Sequence, residues 1–223
     1  MSPKTKPSEG RVGALSKERI VSSAIDILNS DGESALTFRA LARRLSTGSG
    51  AIYWHLADKD ALLAAATESV LSRVMAEVAG APAPAGALRA IALSVFDTIE
   101  THPWVGTQLA REPWQPAMVE VFERCSAQFA AMGVSGDSIF PCVSAFVQYL
   151  IGAAAQTAAA ARHRFRASDR PAILGTIVEQ WTQRDPAEYP FVHLLAGQVR
   201  HHDEREVFLA GLDLILAGAK AAL

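Results

Sequence analysis

The chain has 223 residues, half of them hydrophobic, with 21 basic and 23 acidic side chains and a net charge of −2. Charged residues interrupt the apolar positions every few residues, so we expect no continuous apolar stretch of ~20 residues, the length that a membrane-spanning helix needs. The first ten residues are rich in Pro, Ser and Lys and lack the apolar core of a signal peptide. These features predict a soluble, cytoplasmic protein with no membrane partner.

Charge is distributed unevenly along the chain. Residues 1–60 contain nine Lys/Arg and seven Asp/Glu, which leaves 12 basic and 16 acidic residues for the remainder. Because a polyanion responds to local rather than summed charge, the N-terminal end is the candidate for contact with nucleic acid. Cys125 and Cys142 lack the close spacing to each other or to histidines that a zinc site requires. We therefore expect buried thiols, no metal site and no cofactor.

Apolar residues recur at spacings of three and four, and no alternating β-pattern is present, so the predicted fold is all-α. A first helix is expected from about Ser16 to just before Asp31, and Thr37 begins a short second one. The run Ser46-Thr-Gly-Ser-Gly50 ends it, and a third short helix follows through Ile52. Beyond these, helices are expected at about 60–79, 87–101, 104–111, 115–132, 136–164, 171–183, 189–200 and 203–222, with a linker at 80–86.

Two short helices joined by a tight Gly/Ser turn form the layout of a helix-turn-helix, which places its second helix in the DNA major groove. That second helix opens on the small residues Ser49, Gly50 and Ala51, which let its backbone approach the base edges. Helical hairpins of this kind also occur in purely structural settings. The spacing alone therefore leaves both interpretations open.

The residues themselves resemble the tetracycline-repressor (TetR) family of regulators. The similar segments are Leu36-Thr-Phe-Arg-Ala-Leu-Ala-Arg-Arg-Leu45 and Ile52-Tyr-Trp-His-Leu-Ala-Asp-Lys-Asp-Ala-Leu-Leu63. The resemblance is close over about residues 16–75. The turn departs from the family pattern, because Ser46-Thr47-Gly48 stands where a Gly, an apolar residue and a Ser or Thr are usual. Which residue caps the recognition helix is therefore left open.

The resemblance implies a disordered basic tail over 1–15, a three-helix helix-turn-helix DNA-binding domain over 16–62, and a helical effector-binding and dimerisation domain over 63–223. It further implies a homodimeric repressor that binds a palindromic operator in double-stranded DNA and is released by a small, largely hydrophobic effector. The alternative is an all-α enzyme or ligand-binding protein whose helix pair is structural. The sequence offers that alternative no nucleophile with a positioned base and no phosphate-cradling glycine loop.

Specific DNA contacts follow from the same resemblance. Arg39 matches a position that contacts a phosphate or a guanine, because a guanidinium suits both bidentately. Thr37 matches a phosphate contact made through its hydroxyl and backbone N–H. The base-facing start of the recognition helix falls on Ser49, Gly50 and Ala51.

Further phosphate contacts are expected at Tyr53, His55 and Lys59, whereas Trp54 matches a position that packs inward. The alternative is a purely structural role, with Tyr53 and Trp54 as core aromatics and Lys59 as a solvated residue at a helix start. The basic tail is a candidate for further contacts to phosphate or the minor groove, with a purely solubilising role as the alternative.

The C-terminal region offers candidates for a pocket and for a dimer interface. Tetracycline itself is not the expected effector, because Met75 falls where a ligand-contacting histidine of tetracycline-binding members would lie. His201 and His202 are adjacent in a helix-initiating loop and are not expected to share a metal. The pocket candidates are aromatic or polar-aromatic: Phe96, His102, Trp104, Trp114, Phe122, Phe146, Tyr149 and Trp181. The dimer candidates are Val147, Leu150, Ala154, Phe208, Leu212 and Ile215, with burial inside one subunit as the alternative.

Overall fold

The computed structural model describes residues 15–77, 83–162 and 170–221, and all regular structure in these ranges is helical. Nearly all of the predicted basic tail, residues 1–15, lies outside the described residues. Besides a short 3₁₀ turn at Glu33–Ala35 there are eleven α-helices in the described ranges. They are α1 Lys17–Asp31, α2 Phe38–Arg44, α3 Ser49–Tyr53, α4 Lys59–Glu77, α5 Pro84–Thr101, α6 Pro103–Arg111, α7 Ala117–Ala131, α8 Gly136–Arg162, α9 Arg170–Thr182, α10 Pro190–His201 and α11 Glu204–Ala221.

The chain divides into two compact units inside α4, the first ending at Ala66 and the second beginning at Thr67. The sequence placed this boundary after Leu62, one helical turn earlier. In the first unit, α1, α2 and α3 surround a small apolar core whose centre is fully buried. Its best-buried members are Ile20, Ala24, Leu36, Leu41, Ile52 and Leu62.

Local hydrogen bonds explain where the first two helices begin. The Ser16 hydroxyl accepts from the Arg19 N–H at 3.3 Å, and the Thr37 hydroxyl accepts from the Ala40 N–H at 3.1 Å. Each satisfies a backbone donor that the first turn of a helix leaves unpaired. The predicted helix starts at Ser16 and Thr37 are confirmed.

The turn between α2 and α3 has a left-handed residue that is not glycine. Ser46 has a φ of 53°, a conformation that costs an L-residue roughly 1–2 kcal/mol. Gly48 then serves as the N-cap of α3 and contributes no side-chain hydrogen bond. The departure from the family turn therefore leaves α3 without a side-chain cap.

In the second unit α8 is the central helix, with α5, α6, α7 and α11 packed against it. Helices α6 and α8 approach each other closely at Gly106, where a Cβ would come within 2.5 Å of the Ala154 carbonyl oxygen. Helices α9 and α10 pack chiefly on each other. The interior of this unit is apolar, with Leu88, Ile99 and Phe129 almost completely buried.

Two sequence expectations are wrong here. Helix α5 begins at Pro84, inside the segment predicted to be a linker, because the fixed φ of proline suits the first helical position. Residues Gly136–Ala160 of α8 are long and apolar enough to cross a membrane by length and composition, contrary to the expectation that no such stretch exists. In the structure, however, this stretch is the helix on which four others pack.

Candidate DNA interface and effector region

Helix α2 presents an exposed arginine beside its capped end. Arg39 lies in the first turn of α2 and is exposed, and no acidic side chain within the described ranges pairs with it. Arg44, at the other end of the helix, is held by Asp26 at 3.0 Å. Thr37 is also exposed, and its hydroxyl accepts from Ala40, which leaves its own O–H to donate. Arg39 and Thr37 are thus placed to contact an anion outside the protein.

The start of α3 is unobstructed. Ser49 and Ala51 are half-buried, whereas Gly50 is exposed, and a Cβ on Gly50 would meet nothing within 4 Å. The helix is anchored from behind by Ile52, which is fully buried. The small residues therefore form an open surface through which the backbone of α3 can be approached closely.

The end of α3 corrects one expectation. Trp54 does not pack inward: it is 91% exposed. The inward positions are taken by Ile52 and Leu56, which lie one helical turn apart and are joined by a 3.1 Å backbone hydrogen bond, so residue 54 falls on the opposite side.

Tyr53 and His55 flank Trp54 and are exposed as well. The Tyr53 ring packs on Phe38 with ring centroids 4.4 Å apart, yet more than half of the side chain is open to solvent. The contact with Phe38 holds the Tyr53 ring in place, and its other side is exposed to solvent. Tyr53 is therefore a surface residue and not a core aromatic.

Lys59 has a structural contact that neither sequence interpretation foresaw. Its Nζ donates to the Glu33 carbonyl oxygen at 2.8 Å and lies 4.0 Å from the Glu33 carboxylate. The side chain therefore ties the start of α4 to the 3₁₀ turn. An ammonium has three donors, so a phosphate contact by Lys59 would have to share the group with these partners.

The predicted pocket residues do not converge on one site. Phe146 is fully buried against Phe129, and Trp114 stacks on Phe122 near the surface with 75% of its side chain exposed. Trp181 is exposed on α9. These candidates therefore lie in several places among the described residues, because aromatic character alone does not show which face of a helix a ring occupies, and their contact with an effector stays a prediction.

His102 and Trp104 form a separate pair at the junction of α5 and α6, with ring centroids 6.3 Å apart. Burial, and next the charge of Arg73, lower the pKa of His102. The imidazole is therefore neutral at physiological pH. Trp104 is almost completely buried.

Phe96 and Tyr149 do share a site, an open cleft of about 400 Å³ between α5, α8 and the start of α11. Its polar members Gln148 and Gln156 on α8 were not among the predicted pocket residues. A usable signal was present, since Gln148, Gly152 and Gln156 follow one another at intervals of four on an otherwise apolar helix, and so share a face.

Most of the predicted dimer residues are buried inside the single chain. Val147, Leu150, Ala154, Phe208 and Leu212 are at most 4% exposed within the single chain, and Ile215 is half-buried. The first five fill the interface between α8 and its neighbours, so burial inside one subunit, the alternative weighed above, describes them. A second copy cannot reach them in this conformation.

The cysteines and the histidine pair form no metal cluster within the described ranges. Cys125 is buried, and burial raises the pKa of its thiol to about 12, whereas Cys142 is half-buried. The Nδ1 atom of His202 lies 2.7 Å from the Val199 carbonyl oxygen. Cys125 is thus unreactive at neutral pH.

Comparison with known proteins covers both units. A family model for bacterial regulatory proteins of the TetR family matches residues 20–66, and one for the tetracycline-repressor-like C-terminal domain matches residues 85–223. A solved TetR regulator from Streptomyces coelicolor is 45% identical, with 94% of this chain and 99% of that chain covered at a TM-score of 0.82.

Two other relatives are more distant. A curated transcriptional regulator of the helix-turn-helix type from Saccharopolyspora erythraea is 28% identical over 200 residues, which cover 77% of this chain and 85% of that protein. ActR from Streptomyces coelicolor, solved in complex with actinorhodin, shares the fold at 23% identity and a TM-score of 0.79, with 93% and 96% of the two chains covered. This chain belongs to the tetracycline-repressor family of bacterial regulatory proteins and is a DNA-binding transcriptional regulator.

Proposed function

We propose that this regulator is a cytoplasmic repressor that binds a palindromic operator as a homodimer and is released by a small, largely hydrophobic effector. The observation that carries the DNA-binding part is the pairing of an exposed, uncompensated Arg39 with the open start of α3 at Ser49, Gly50 and Ala51. A guanidinium contacts guanine or phosphate, and small residues let a helix approach base edges.

The residues divide into two kinds of contact. Arg39, Ser49 and Ala51 read base edges, with the Ala51 methyl against a thymine methyl and the Ser49 hydroxyl on a base. Contacts that fix register without reading sequence come from the exposed side chains flanking them. These are Thr37, Tyr53, His55 and, shared with its Glu33 contact, Lys59.

Replacing Arg39 with Ala should weaken operator binding by ~1–3 kcal/mol, because the variant loses a bidentate contact while the exposed position of the side chain leaves the core intact. The measurement is a fluorescence-anisotropy titration of labelled operator. Arg44→Ala is the matched control, since the Arg44 guanidinium is held by Asp26. Equal affinity of Arg39→Ala and the unmodified protein would remove Arg39 from the interface.

The homodimer is supported by apolar side chains on the outward faces of the last two helices. Leu214 on α11 is 76% exposed, and on α10 Phe191 and Leu194 are similarly open. Around Leu214 the outward stripe of α11 is made of small residues, Ala210, Ala217 and Gly218. Small residues permit close helix packing, and a second copy would bury this stripe in a symmetric interface.

Leu214→Glu should raise the dissociation constant of the dimer about a hundredfold, because a carboxylate at the interface has no partner there. Analytical ultracentrifugation over a concentration series measures it, and operator affinity should fall with it. Val119→Glu on α7 is the control, since Val119 is 70% exposed but lies on a different helix. If Val119→Glu dissociates the dimer and Leu214→Glu does not, the interface lies elsewhere.

Release requires the effector to prefer one of two conformations of the second unit. A ligand shifts such an equilibrium only by its differential affinity for the two states. Helix α4 is continuous across the boundary at Ala66 and connects the two units. A movement of α4 in the second unit can therefore reposition the first. Effector binding and operator binding then oppose each other with the same coupling free energy.

A further inference from the structure

The last residue of the recognition helix lies against the first residue of α2. Tyr53 ends α3, a helix of five residues, and Phe38 begins α2. Their ring centroids are 4.4 Å apart and the ring planes are tilted by 55°, which is close contact for two aromatic side chains. Phe38 is half-buried, whereas Tyr53 is 56% exposed. The pair therefore consists of an inner ring that gives support and an outer ring that is open to solvent.

The hydroxyl of Tyr53 is available for a contact outside the protein. Within the described ranges of this chain, no group forms a hydrogen bond with it. A phenol can donate to a phosphate oxygen, and such contacts fix the register of a protein on DNA. Because Phe38 covers one side of the Tyr53 ring, the side chain has fewer orientations open to it than an unsupported tyrosine.

Phe38 also stands between two residues that are proposed to contact DNA. Thr37 and Arg39 precede and follow it in the chain, and both are exposed. Since the Phe38 ring touches Tyr53, the end of α3 lies beside the start of α2. A DNA backbone that runs past the capped start of α2 therefore comes close to the Tyr53 side chain.

We propose that Phe38 is a positioning residue for operator binding, which holds the Tyr53 ring in the orientation from which its hydroxyl donates to a phosphate. The inference rests on the function proposed above. Immobilising a free surface side chain on binding weakens a complex about twofold to tenfold. Phe38 restricts Tyr53 before DNA arrives, so the complex avoids most of that loss.

A double-mutant cycle measures whether Phe38 acts through the Tyr53 hydroxyl. The full chain, Phe38→Ala, Tyr53→Phe and the double variant are titrated by fluorescence anisotropy against a labelled duplex from directly upstream of the gene. Tyr53→Phe removes only the hydroxyl and should weaken binding about tenfold. Phe38→Ala should weaken binding about threefold in the unmodified protein and leave it unchanged in the Tyr53→Phe background. The same loss in both backgrounds, or no loss in either, would overturn the proposal.

A scrambled duplex supplies the second readout. A phosphate contact contributes equally on any sequence, so Phe38→Ala should weaken binding to both duplexes by the same factor. A fall in the preference for the upstream duplex would overturn the proposal, because Phe38 would then set the pose of the base-reading residues of α3. Phe38→Tyr keeps a ring against Tyr53 and should bind like the unmodified protein. Loss of affinity in Phe38→Tyr equal to that in Phe38→Ala would likewise contradict a role for the ring.

Folding and general effects are controlled separately. Circular dichroism checks each variant, and if Phe38→Ala is unfolded, Phe38→Leu takes its place in the cycle with the same expected coupling, since leucine keeps the apolar cover without a flat ring. Phe122→Ala is the matched control, because Phe122 is also a half-buried ring stacked on an exposed aromatic, Trp114, but lies in the second unit. Its operator affinity should be unchanged. A loss equal to that of Phe38→Ala would overturn the proposal.

The unmodified protein separates this proposal from the function on which it rests. If it prefers the upstream duplex and the two substitutions do not couple, the role of Phe38 is wrong and the repressor function stands. If it binds neither duplex, the proposed function itself fails.

Discussion

Replacing Gly50 with Leu should reduce operator affinity about a hundredfold, on the order of 3 kcal/mol, while the protein stays folded. Gly50 is exposed at the start of α3, and a Cβ there meets nothing in the free protein. Leucine is also the better helix former by ~1 kcal/mol, so the free protein should gain slightly in stability. In the complex the added side chain would stand between α3 and the base edges and hold the backbone away.

The contrast between folding and binding makes this variant informative. Circular dichroism should show unchanged helix content and a melting temperature that is equal or higher. Gly86→Leu, an unobstructed glycine on α5, is the control for a general effect of glycine replacement. Wild-type operator affinity in Gly50→Leu would mean that α3 does not approach DNA by this surface.

The second large effect is expected at the crossing of α6 and α8. Gly106→Ala should destabilise the second unit by about 3 kcal/mol, at the upper end of the usual range for overpacking. The new Cβ would lie 2.5 Å from the Ala154 carbonyl oxygen and 3.0 Å from Ile99 Cγ2. The nearer of these two atoms belongs to the backbone, so the clash cannot be relieved by rotating a side chain. Helices α6 and α8 must move apart instead. Urea unfolding followed by circular dichroism measures the change.

Gly152→Ala is the matched control on the partner helix, where a Cβ meets nothing within 4 Å. There the normal preference of a helix for alanine should prevail, with a gain of ~0.5–1 kcal/mol. The two substitutions are chemically identical and are expected to have opposite signs. A Gly106→Ala protein as stable as Gly152→Ala would show that α6 and α8 are not in close contact at this point.

Helix positions were largely predictable from the sequence because capping residues and periodic apolar residues are local signals. Ser16 and Thr37 accept the hydrogen bonds expected of N-caps. The start of α5 was misplaced because Pro84 was interpreted as a breaker, whereas proline is equally suited to the first helical turn.

The face that a residue occupies was harder to predict. In α11, Leu212 and Phe208 are buried and Leu214 is exposed, yet all three are apolar. A helix that is apolar on nearly every side has no periodic contrast to show which stripe faces inward. The dimer candidates chosen on α11 therefore include Phe208 and Leu212, which lie on its buried stripe.

The same difficulty affected the end of α3 and the pocket. Trp54 was expected to pack inward because it matches an inward position of the family, but Ile52 and Leu56 take the two inward positions. The cleft depends on α5, α8 and α11 meeting, and such long-range contacts leave no local pattern. The only local sequence signal for the cleft was the spacing of Gln148 and Gln156 on α8.

Titration of the full chain against DNA from directly upstream of its own gene, with a scrambled duplex as control, tests the central claim most directly. The account predicts preference for the upstream DNA, two protomers per site, and affinity that falls about a hundredfold or more between ~50 and ~200 mM salt as phosphate contacts are lost. Equal binding to both duplexes, or no binding to either, would contradict it.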